Sequence, residues 1–87
     1  MITREQLRMA RAALNWSVRE LAGKAGVSAN TVSRYENGAD ALNETLGKLR
    51  SVLERNGIIF VAENGGGAGV RLAKSQSKLA HGRRKPQ

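Results

Sequence analysis

The sequence predicts a mainly α domain: four short helices followed by a C-terminal β-hairpin. Three observations carry this. Thr3 with Gln6, and Ser17 with Glu20, each set a hydroxyl three residues ahead of a long amide or acid. That reciprocal pattern satisfies the free N–H groups at a helix start. Apolar residues then recur at helical spacing, as Leu7, Ala10 and Leu14, and again as Leu46, Leu49 and Leu53 with Leu42 just before. Past Gly57 the period changes: IIFV, a glycine-rich run, then VRL reads as strand, turn, strand.

Taken in order, the first helix is expected over about 3–14. Trp16 is placed to staple onto Leu21 at the start of a second helix over about 17–25. Gly26 suits the left-handed residue that ends it, and Val27 is expected as a buried plug. Ser28 caps a third helix over about 28–37, ended by Gly38. Asn43 is expected to cap a fourth helix that runs to Gly57. Gly47 costs that helix about 1 kcal/mol relative to alanine, so a close packing contact is expected there. The division is 1–57 for the helices, 58–74 for the hairpin and 75–87 for a flexible basic tail.

A chain of 87 residues holds one small domain with a marginal core, so help from a partner chain is expected. There is no cysteine, hence no disulfide or thiolate metal site, and a reducing cytoplasmic setting is expected. The longest apolar run, IIFVA, is far too short to span a membrane, and MITREQLRMA lacks the apolar block of a signal peptide. The formal charge is +8, of which the stretch KSQSKLAHGRRKPQ contributes +5. Such a balance favours a polyanionic partner, nucleic acid before an acidic membrane. The single histidine, His81, has no cysteine near it, so no metal, cofactor or catalytic residue is expected. The glycine run at 65–69 lacks the Lys-Ser/Thr of a phosphate loop and opens no helix. With one Phe, one Trp and one Tyr, the chain is poorly supplied for stacking single-stranded bases.

The segment GVSANTVSRYENG, 26–38, is the informative one. On a helical wheel Val32, Tyr35 and Glu36 gather on one side. Ala29, Asn30, Ser33, Arg34 and Asn37 gather on the other, over roughly 140°. Surface helices ordinarily carry Glu and Lys, which form helix better than Ser and Asn. A weak helix with a small, polar outer face is one held by tertiary packing and shaped to enter a groove. The preceding residues agree. Counting Val18 as the first, Ala22, Gly26 and Val32 stand fifth, ninth and fifteenth: a small residue where two helices touch, a glycine in the turn, and a branched residue where the second helix beds down.

WSVRELAGKAGVSANTVSRYENG, with ELA, GVS and ENG in register, resembles the helix-turn-helix of the Cro/Xre-type transcriptional regulator family, over about residues 3–56. The resemblance implies a lambda-repressor-like bundle whose third helix lies in the major groove of duplex DNA. It puts Ala29, Asn30, Ser33 and Arg34 at base-reading positions, and Asn37 and Ser17 where phosphates are contacted. Arg19, Ser28 and Thr31 are further phosphate candidates. Arg11 and Glu36 fall at a pair that joins the first helix to the end of the third. Val18 departs from the family's usual glutamine at the start of the second helix, so one phosphate anchor is missing.

Groove chemistry follows. Arg34 suits guanine O6 and N7, Asn30 suits adenine N6 and N7, and Ala29 suits a thymine methyl; each bidentate pair discriminates by about 1–3 kcal/mol. One helix reads few base pairs, so a homodimer on two half-sites is expected. Ile58, Phe60, Val70 and Leu72 are more apolar surface than a small side sheet should expose, and are expected to build that dimer. The resulting expectation is a bacterial or phage repressor that occupies an operator. Contact with RNA polymerase or another regulatory protein stays open. The alternative is an antitoxin or bridging-type protein-interaction module whose DNA binding is secondary.

Overall fold

The computed structural model describes residues 1–73; the expected basic tail over 75–87 lies outside the described residues. In chain order the elements are α1 (Arg4–Leu14), α2 (Val18–Ala25), α3 (Ala29–Glu36), α4 (Asn43–Arg55), β1 (Ile58–Val61) and β2 (Gly69–Leu72). The local signals operate as the residue types dictate. Thr3 and Ser17 each accept from the backbone N–H three residues on, while Gln6 and Glu20 reach back to the cap N–H. Ser28 caps α3 by accepting from Thr31 N–H.

The first three helices end alike. The N–H groups of Trp16, Val27 and Ala39 each bond the carbonyl five residues back, on Arg11, Ala22 and Arg34. This closure needs a positive φ just past the helix. Asn15 at φ 59°, Gly26 at φ 72° and Gly38 at φ 114° supply it. Asparagine tolerates that region better than other side chains, which explains why α1 stops without a glycine.

Leu7, Ala10, Leu21, Ala22, Val32, Tyr35, Leu46, Leu49, Val52 and Leu53 form one core with Ile2 and Ile58. The hairpin shares this core. β1 and β2 are antiparallel, with Ile58 opposite Leu72 and Phe60 opposite Val70. Among the described residues the sheet has only these two strands. Gln6 docks it: buried to 4% exposure, its Nε2 donates to the carbonyls of Val61 at 3.0 Å and Gly69 at 3.1 Å. Glu63 orders the turn, its carboxylate accepting from Gly65 and Gly67 N–H.

Four expectations are corrected. Asn43 does not cap α4; the cap position is Leu42, in extended backbone with no side-chain bond, and Asn43 is the first helical residue. Because Leu42 precedes the helix, it leaves the apolar stripe and is 73% exposed. Gly47 is exposed, and a Cβ there would meet nothing within 4 Å, so it marks no packing contact. Val27 is half-buried at the edge of the core.

Candidate nucleic-acid interface

α3 is short, and it has no acid in its first turn to complement the helix dipole. Its neighbours hold it. Val32 is fully buried, and Tyr35 and Glu36 nearly so. The opposite side is open: Asn30 and Arg34 are exposed, and Ala29 and Ser33 half-buried. Asn30, Thr31 and Arg34 line one wall of a cleft of about 420 Å³; Asp40, Ala41, Leu42 and Thr45 line the other. Of the expected base-reading residues, Asn30 and Arg34 share this open wall, while Ala29 is half-buried against the core.

Of the phosphate candidates, Ser17, Arg19, Ser28 and Asn37 are exposed and Thr31 is half-buried. Ser17 and Ser28 stand at the N-terminal ends of α2 and α3, whose partial positive charge and free N–H groups favour an anion. Their hydroxyls are already engaged in capping. Asn37 Nδ2 donates to the Ser33 carbonyl at 2.8 Å, so its side-chain oxygen is turned away from the helix carbonyls.

Arg11 and Glu36 meet in a two-bond fork. Arg11 Nη2 and Nε donate to Glu36 Oε1 at 2.7 Å and Oε2 at 2.8 Å, and Nη1 donates to the Trp16 carbonyl at 3.2 Å. One guanidinium thus ties the end of α3 to α1 and to the turn before α2. The bonds that Arg11 donates to Glu36 raise the Arg11 pKa, against the smaller opposing effect of burial. Glu36 is a carboxylate in the core, satisfied on both oxygens.

Ile2 and Arg4, for which the sequence predicts no role, also hold α3. Tyr35 Oη donates to the Ile2 carbonyl at 2.7 Å. Arg4 donates to the carbonyls of Tyr35 and Gly38, with its guanidinium 5.7 Å from the Tyr35 ring centroid. No local pattern marks either contact, because each depends on how α1 crosses α3.

The expected dimer residues separate. Ile58 is 2% exposed and belongs to this chain's own core, where no partner can reach it. Phe60 and Val70 are half-buried against the core, and Arg50 covers the Phe60 ring at 5.3 Å. Leu72, at 39%, and Ile59, at 44% and absent from the expected set, are the exposed apolar side chains of the hairpin strands.

Among the described residues no helix is long and apolar enough to cross a membrane. A comparison with curated proteins gave no match. A helix-turn-helix family model matches residues 7–57, which takes in α1 from Leu7 onward and the whole of α2, α3 and α4. With more than half of the chain matched, and an open polar face on the second helix of the motif, the chain belongs to the Cro/Xre-type helix-turn-helix family of DNA-binding regulators.

Proposed function

We propose that the chain is a sequence-specific repressor that occupies a duplex operator as a homodimer, reading bases with Ala29, Asn30, Ser33 and Arg34. The observation that carries this reading is the division of α3 into a buried side and an open polar side. A helix stabilised wholly from behind leaves its front free for base edges, where Asn and Arg have matching donors and acceptors. Ser17, Arg19, Ser28, Thr31 and Asn37 flank that front and suit phosphates, which set register and orientation rather than sequence. Residues 1–57 are the DNA-binding unit in this reading, and the protein works in the cytoplasm.

Dimerisation is assigned to the hairpin. Its two strands take no third neighbour among the described residues, and it exposes Ile59 and Leu72. An open edge with apolar side chains is suited to a second copy. Phe60 and Val70 support that surface from the core side.

Selection from random duplexes tests the whole reading. The expected result is a two-fold symmetric site, and Arg34→Ala should lose about 1–3 kcal/mol on it and relax one base position per half-site. An unchanged base preference in Arg34→Ala removes α3 as the reader.

A further inference from the structure

Arg4 is electrostatically out of place along its own helix. It sits in the first turn of α1, the end that carries the positive part of the helix dipole. Its side chain leaves that end for the far end of another helix. Nε donates to the Tyr35 carbonyl at 3.2 Å and Nη2 to the Gly38 carbonyl at 3.3 Å. The guanidinium also lies over the Tyr35 ring, which the Ile2 carbonyl anchors through its hydroxyl. A cation, two donated bonds and a ring contact thus converge on the C-terminus of α3, where carbonyls lack partners within the helix and the dipole favours positive charge.

The location matters because Arg34 lies in this last turn. Its carbonyl accepts from Asn37 N–H and Ala39 N–H, and the Tyr35 carbonyl held by Arg4 also accepts from Gly38 N–H. One of the bonds that close this turn, from Gly38 N–H to the Tyr35 carbonyl, therefore shares its acceptor with Arg4. α3 has eight residues of modest helix propensity, so this turn would fray without outside support.

We propose that Arg4 is a positioning residue for base recognition: it holds the closing turn of α3 and so sets the direction in which Arg34 leaves the helix. This rests on the reading of α3 as the base-reading helix.

The test uses the full chain with Arg4→Lys, which keeps the charge but not the fork, Arg4→Met, which keeps neither, and Arg8→Met as a control for an exposed cation of the same helix. Two quantities are read: the ratio of affinities for the selected site and an unrelated duplex, and amide exchange of Gly38 and Ala39 without DNA. Both Arg4 variants should lower the ratio about five- to tenfold and speed exchange at those two amides, while Arg8→Met weakens both duplexes alike. An Arg4→Lys protein with wild-type ratio, or with unchanged exchange at Gly38 and Ala39, overturns the proposal; the first of these makes Arg4 a simple phosphate contact. Arg34→Ala is measured alongside. If it leaves the ratio intact, the reader assignment fails on its own, and amide exchange still decides whether Arg4 holds the turn.

Discussion

Replacing Glu36 tests how α3 is anchored. The carboxylate is 5% exposed and accepts two short bonds from Arg11. Hydrogen bonds to charged groups contribute about 1.5–3 kcal/mol, and removing one member of a fully buried pair costs about 3–5 kcal/mol. The Arg11 side chain keeps 22% exposure, so water takes over part of its solvation once the partner is gone. Glu36→Gln retains the shape and one acceptor and should lose about 2 kcal/mol, and Glu36→Ala about 3 kcal/mol. Against a total of about 4–10 kcal/mol for a domain this small, either is a large share. Arg11→Met should cost about 2 kcal/mol, because it leaves the carboxylate buried and unpaired. The double variant Arg11→Met/Glu36→Ala should then be about 2 kcal/mol more stable than the summed single losses predict. Urea unfolding followed by circular dichroism reads each as a shift in midpoint at constant slope. The Arg11 pKa is raised by folding, so its contribution is complete below the ordinary arginine value and fades only as pH climbs past its raised one. The loss in Arg11→Met should therefore be the same at about pH 7 and pH 9. Additive losses in the double variant, or a Glu36→Gln protein within about 0.5 kcal/mol of wild type, would refute the anchoring argument.

Other perturbations separate the remaining elements. Gly47→Ala should stabilise the protein by about 0.5–1 kcal/mol, since the new methyl meets nothing and the helix gains propensity; a thermal midpoint that fails to rise contradicts this. The same change at Gly38 forces a Cβ into φ 114° and should destabilise by about 1–2 kcal/mol in the same melt. Gln6→Leu deletes the side-chain bonds to Thr3 N–H and to the hairpin carbonyls. It should cost about 1–3 kcal/mol, with faster amide exchange concentrated in β1 and β2; uniform exchange would show that Gln6 does not dock the hairpin. Leu72→Lys combined with Ile59→Lys should leave the fold intact and lower the sedimentation mass from dimer to monomer, whereas a dimer that persists places the interface off the hairpin.

Much of the fold was legible because its signals are local. A capping box needs residues three apart, and a helix end needs a glycine or asparagine in one position, so Thr3, Ser17, Ser28 and Gly26 could be read directly. The two sides of α3 were legible because helical periodicity alone separates Val32 and Tyr35 from Asn30 and Arg34. Leu42 lies off the apolar stripe because helical periodicity has no meaning in the extended backbone that precedes α4. Alternation shows which side chains share a sheet face but not what that face packs on, so it does not reveal that Ile58 joins this chain's own core.

The amino-acid order alone determined where α1, α2 and α3 begin and end and which face of α3 is polar. Those properties follow from backbone caps and from a period of 3.6, both of which act over a single turn or two. Only the tertiary structure decided how that helix is held: Arg4 and Ile2 meet residues more than thirty positions away, and Gln6 meets carbonyls 55 and 63 positions away. Contacts of that kind are fixed by the crossing of packed elements, and several arginines along α1 offer the same chemistry until the packing selects one of them.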